Sequence, residues 1–198
     1  MKQIIRAAIT AFILTVIFSM IPFQANCSDI SDEVFRLHIL ANSDSNKDQS
    51  LKLRVRDKVL SHTEALFNSA KSKQEAEQLV SDNIQTIADI AAKEIFDNGY
   101  NYSVKVQIVK MHFSTRRYEN FTLPAGMYDA LRITIGEGRG HNWWCVMFPS
   151  LCISSPADSE GKAKEVFSNR EYEVVKNEKT EYRFFIIECF ETISSWFS

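Results

Sequence analysis

Arg139, His141, Asn142, Trp143, Trp144 and Cys145 fall together in the stretch G-E-G-R-G-H-N-W-W-C, Gly136 to Cys145. A cysteine and a histidine four residues apart are the raw material of a thiol nucleophile and its base, because the thiolate is the reactive form. Here, however, Cys145 follows two tryptophans into an apolar run. Burial there raises a thiol's pKa, and no third residue presents itself to orient the histidine. Gly136, Gly138 and Gly140 at alternate positions suggest a phosphate cradle. Such cradles need a helix N-terminus behind the glycines, and Trp143 to Phe148 reads as a strand. The four cysteines (Cys27, Cys145, Cys152, Cys189) form no C-x-x-C pair, and no two of the four histidines are close in sequence. A zinc site is therefore not expected, and no cofactor is. Cys145 and Cys152 would bridge if the chain turns at Pro149; two free buried thiols are the equal alternative. What the stretch suits is recognition of a partner, with a polar turn of Arg139, His141 and Asn142 beside one aromatic anchor, Trp143 or Trp144. Two adjacent tryptophans could also stack on sugars, so a cell-wall glycan-binding or hydrolytic protein is the alternative from another class.

The elements that position these residues follow from periodicity. Leu131, Ile133 and Ile135 alternate with Arg132 and Thr134, the pattern of a strand with one wet face. With residues 143–149 it predicts a hairpin whose glycines supply positive φ angles. Phe35, Leu37 and Ile39 alternate with Arg36 and His38, predicting a first strand over 34–41. N-S-D-S-N-K-D (Asn42–Asp48) is a turn rather than a calcium loop, because the sixth and twelfth positions are Gln49 and Val55 rather than Gly and Glu. Gln49 to Ala70 reads as a helix with two apolar stripes. Its Lys52, Arg54, Arg56 and Lys58 read first as a solvated face and second as a basic docking face. Residues 73–98 read as one helix, with a Ser72/Glu75 capping box and an Asn98-Gly99 stop. Tyr102 to Ser114 is a strand whose apolar phase shifts after Ile108, as a β-bulge would produce. Ser154 to Lys179 reads as a loose polar linker, and Tyr182 to Phe197 as an amphipathic helix. The fold class expected is α+β: an antiparallel sheet of residues 34–41, 102–114, 128–136 and 143–149 with two helices on one face.

A chain of 198 residues suggests one domain with appendages, and a net charge of -2 gives no reason to expect a nucleic-acid partner. Lys2 and Arg6 precede an uncharged run from Ala7 to Phe23, the form of an export signal. We assign residues 1–27 to a signal peptide or N-terminal anchor, 28–153 to the domain, and 154–198 to the linker and terminal helix. Membrane contact is expected only through residues 1–23 and the terminal helix.

L-P-A-G-M-Y-D-A-L-R-I-T-I-G-E-G-R-G-H-N-W-W-C-V-M-F-P-S-L-C (Leu123–Cys152) and R-L-H-I-L-A-N-S-D-S-N-K-D-Q-S-L-K-L-R-V-R-D-K-V-L (Arg36–Leu60) resemble the stage II sporulation protein R family. The resemblance runs from about Val34 to Cys152. It implies a non-enzymatic signal of endospore-forming bacteria, exported from the forespore into the intermembrane space. There it would activate a membrane-embedded aspartic protease of the mother cell, which processes the precursor of an early sigma factor.

Overall fold

The computed structural model describes residues 2–118, 121–151, 156–176 and 184. Six helices and six strands follow in order: α1 (Lys2–Glu33), β1 (Phe35–Leu40), α2 (Asn46–Ser69), α3 (Lys73–Asp82), α4 (Ile84–Asp97), β2 (Val104–Phe113), β3 (Arg116–Arg117), β4 (Thr122–Leu123), β5 (Gly126–Ile135), β6 (Asn142–Phe148), α5 (Pro156–Val166) and α6 (Asn169–Lys176). The class is α+β. The main sheet has the order β2-β5-β1-β6, and β3 and β4 form a small separate pair.

Two features of the sheet correct the sequence reading. β1 and β5 run parallel, so the sheet is mixed rather than antiparallel. β5 and β6 are not a hairpin either, because β1 lies between them, antiparallel to β6. Residues 136–141 must therefore bridge two strand spacings, about 9.6 Å, which a two-residue turn cannot do.

The expected alternation does hold in β5. Leu131, Ile133 and Ile135 join Phe35, Leu37, Ile39, Cys145 and Met147 in one core under α2, α3 and α4. Val55 and Val59 of α2, Ala76 and Val80 of α3, and Ile87, Ala91 and Ile95 of α4 close it. Ser72 caps α3 by accepting from the Glu75 amide, while Glu75 accepts from the Lys71 amide. The predicted single helix is broken at Asn83. Its side chain donates to the Leu79 carbonyl and its amide to that of Val80, tightening the last turn of α3. Gly99, at φ +82°, makes the left-handed stop after α4.

The other sheet face is covered as well. Phe23, Cys27 and Ile30 of α1 pack with Tyr128, Ala130, Val146 and Phe113, and with Ala163, Phe167, Val174 and Val175 of the α5–α6 region. This accounts for the phase shift in β2. No bulge occurs, since its pairing with β5 runs in register from Val104↔Ile135 to Phe113↔Gly126. Instead the strand's first half buries its Val104/Val106/Ile108 side against the helices, and its far end buries Phe113 in the second core. The irregularity in the sheet lies between β1 and β6, at Phe35/Arg36. Much of the predicted loose linker is helical, in α5 and α6. The predicted terminal helix lies outside the described residues except Phe184, which is buried against the Phe23 ring. α1 passes position 27 without a break. Among the described residues no helix is long and apolar enough to cross a membrane.

Candidate partner-binding site

The glycine turn is folded onto the loop that follows β1. The amides of Arg139 and Gly140 donate to the carbonyls of Asn42 and Ala41 at 3.2 and 2.9 Å. The Glu137 amide donates to Asn42 Oδ1 at 3.0 Å, and the His141 amide to Asp44 Oδ1 at 2.6 Å. His141 Nδ1 also lies against Asp44 Oδ1. Gly136 and Gly138 have φ +56° and +63°, as the turn demands. Gly140 is required for another reason: a Cβ there would sit 2.2 Å from the Ser43 carbonyl oxygen.

The clamp extends into the loop itself. Asp48 accepts from Asn42, Ser43 and Tyr102. Burial alone would raise its pKa, but the hydrogen bonds from Ser43, Asn42, Tyr102 and Ser45 outweigh burial and hold the carboxyl below its ordinary value. The hydrogen bond from the His141 amide, then the one from its ring, lowers Asp44 likewise. The N-S-D-S-N-K-D segment is thus the bed of the turn. Lys52 joins in: buried, it donates to Gln49 Oε1 and to the His141 carbonyl at 2.6 and 2.8 Å. Arg54 donates to Asn98 and Arg56 pairs with Asp57, so these basic side chains of α2 are engaged within the fold.

The structure brings the predicted residues to one end of the sheet but divides them between its faces. Arg139 is 80% exposed and pairs only with Glu137 among the described residues. Trp143 stacks on Arg56, 4.2 Å from guanidinium carbon to ring centre, on the helix-covered side. Trp144 points to the opposite side, under Arg116 at 3.7 Å. Cys145 is disulfide-bonded, which removes it as a nucleophile. Its partner lies outside the described residues, as does Cys152.

Sequence reasoning passed over the residues behind Trp144. Arg36 and His38 lie on the side of β1 opposite its apolar alternation, yet they are 0% and 3% exposed. Gln107, Arg132, His38 and Trp144 are register partners in turn, so they form one row across all four strands, with Arg36 one row below. Arg36 is sandwiched by Phe113 and Tyr128, at 4.0 and 4.8 Å, and donates to Tyr118 Oη at 2.9 Å. Its Nε and Nη1, both ring nitrogens of His38, Nε of Arg132 and Nε1 of Trp144 are buried without a hydrogen-bond partner among the described residues. Burial first, and then the charges of Arg132 and Arg36, lower the His38 pKa. The Asn142 side chain works the other way, although it makes no hydrogen bond of proper geometry to the ring. The available signal was a polar residue at two alternate positions, 36 and 38, of an otherwise apolar strand. It reads as solvent exposure unless the second face is known to be covered.

No solved structure matches the chain. The curated stage II sporulation protein R of Bacillus subtilis (strain 168) is 35% identical over 187 residues, covering 84% of each chain. A family model described as stage II sporulation protein R matches residues 31–158, which takes in β1 through β6, the turn and its bed. The chain belongs to the stage II sporulation protein R family.

Proposed function

We propose that this protein is a non-enzymatic, exported sporulation signal. It activates a membrane-embedded aspartic protease of the mother cell, which then processes the precursor of an early mother-cell sigma factor. The observation that carries the reading is the family membership across the whole sheet and turn. The site's character supports it. The turn is polar, exposed and clamped at both ends, which suits a ligand that must present one fixed surface. Such a ligand acts by population shift, binding the active arrangement of the protease better than the inactive one. The basic start of α1 and its exposed Ile4, Ile5, Ile9, Phe12 and Phe18 fit an export leader delivering the chain to the intermembrane space. A sugar-binding role has less in its favour, since each indole already stacks on a guanidinium.

The test is reconstitution outside sporulation: the chain, the membrane protease and the sigma precursor are produced together and precursor cleavage is followed. Cleavage that requires all three supports the reading; cleavage independent of this chain overturns it. The triple variant Arg139→Ala, His141→Ala, Asn142→Ala locates the contact. Surface replacements of this kind shift stability by under about 0.5 kcal/mol each, so a folded, exported variant that no longer activates places the contact at the turn.

A further inference from the structure

Buried charges in folded proteins are paired, because an isolated one costs several kcal/mol of lost hydration. The second sheet face departs from this. Among the described residues neither the buried Arg36 nor the half-buried Arg132 makes an ion pair, and no acidic residue occupies the Gln107–Arg132–His38–Trp144 row or the rows directly above and below it. On the helix side, by contrast, Lys73 of α3 contacts Asp129 of β5 and Glu77. Apart from the ring nitrogens of His38, the unpaired groups of the row are of one kind. Two guanidinium groups and an indole N–H can only donate, so what completes them is an acceptor carrying negative charge.

We propose that this row is a carboxylate-docking site, and that its occupant is an acidic segment of the protein partner, with a carboxylate facing Arg132 and Trp144. The inference rests on the reading above that the chain works by binding another protein. Three features favour a peptide carboxylate. A guanidinium fork matches a planar carboxylate in two-point contact. The donors lie in a row across a sheet rather than in a cradle of backbone amides at a glycine turn or helix start, the usual phosphate geometry. Gln107 ends the row on β2 and Asn142 lies two residues from Trp144 on β6, each with an amide able to bond an extended backbone. Asn142 belongs to the polar turn as well, so the row continues the surface of the site already described.

Two measurements test it. In the first, the isotopically labelled full-length chain is titrated at constant ionic strength with a hexaglutamate peptide, with inorganic phosphate and with phosphatidylglycerol vesicles. The Trp144 indole and Arg132 Nε–H signals are followed. Saturable shifts with hexaglutamate that vanish in Arg132→Gln are expected. A saturating response to phosphate or vesicles but not to the peptide, or shifts that persist in Arg132→Gln, would overturn the proposal. In the second, the reconstituted processing assay is run with Arg132→Gln and Trp144→Phe, each checked for a dispersed spectrum. At least a tenfold fall in cleavage is expected from Arg132→Gln and a smaller fall from Trp144→Phe; cleavage at the wild-type rate by folded Arg132→Gln overturns the proposal. Should the wild-type chain itself fail to promote cleavage, the signalling reading fails, and the titration still decides the carboxylate site.

Discussion

The two faces of the central sheet carry opposite chemistry on the same strands. Toward α2, α3 and α4, β1 and β5 present Phe35, Leu37, Ile39, Leu131, Ile133 and Ile135, all closed over by helix stripes. On that side Lys73 of α3 is held by Asp129; burial alone would lower its pKa, and the Asp129 and Glu77 contacts more than reverse this. Toward α1 and α6, the same two strands present Arg36, His38 and Arg132, whose side chains retain unpaired donors. One face therefore contributes stability. The other gives some up, the usual mark of a surface under a different demand. Variants that treat the faces alike would erase this contrast; those that separate them sharpen it.

The largest separation is expected at neighbouring positions of one strand pair. Leu131→Ala empties a fully buried site on the helix face and should cost about 3 kcal/mol in urea unfolding. A loss below about 1 kcal/mol would mean the helices do not close on β5. Arg36→Met replaces an equally buried residue on the other face. Removing one partner of a satisfied buried pair costs about 3–5 kcal/mol, but Arg36 has no ionic partner among the described residues, and Met keeps the contact with Phe113 and Tyr128. A change under about 1 kcal/mol is expected, in either direction. A loss above about 2 kcal/mol would show that the guanidinium is satisfied within the fold, and the contrast between the faces would collapse.

The helix face was largely readable from sequence because its signals are local. The 131/133/135 alternation, the stripes of α3 and α4, the Ser72 cap and the Asn98-Gly99 stop each follow from residues a few positions apart. The placement of β1 between β5 and β6 was not readable, since alternation fixes which face is buried and not which strand is the neighbour. α5 and α6 escaped because Pro156 and Gly161 read as loop signals; Pro156 in fact opens a helix, where its missing N–H costs nothing. With those helices unseen, the face carrying Arg132 and Thr134 read as wet. The turn was read correctly as polar and glycine-dependent, but its bed, Asn42 to Asp48, lies far away in sequence and was taken only as a turn.

The seam between α1 and α6 gives a smaller, pH-dependent effect. Burial, then the carboxylates of Glu171 and Asp29, raise the Glu33 pKa from 4.5 to about 7. The folded state thus holds this proton more tightly than the unfolded one. The stabilisation is full below 4.5, falls as pH rises toward 7 and is absent above it. The full shift would correspond to roughly 3 kcal/mol; for a half-exposed group screened by solvent about 1 kcal/mol is the reasonable expectation. Glu33→Gln should unfold like the wild type near about pH 5 and be more stable by about 1 kcal/mol near about pH 8. Parallel stability curves for the two proteins would remove the seam from the account of the second face.

The finest test of the contrast is a pair of adjacent residues. Trp143 is 36% exposed and stacks on Arg56 at the edge of the helix face. Truncating it to alanine removes a cation–π contact worth about 0.5–1 kcal/mol at an exposed site. Trp144, one residue on, faces the unpaired row, and Trp144→Phe keeps an aromatic ring there while deleting the one indole donor. If recognition belongs to the second face, Trp143→Ala should lose a little stability and activate the protease normally. Trp144→Phe should unfold close to the wild type and activate less. The opposite pattern, with Trp143→Ala inactive and Trp144→Phe unaffected, would move the contact to the helix side of the turn. The unpaired donors of Arg36, His38 and Arg132 would then need a different explanation, one internal to the fold.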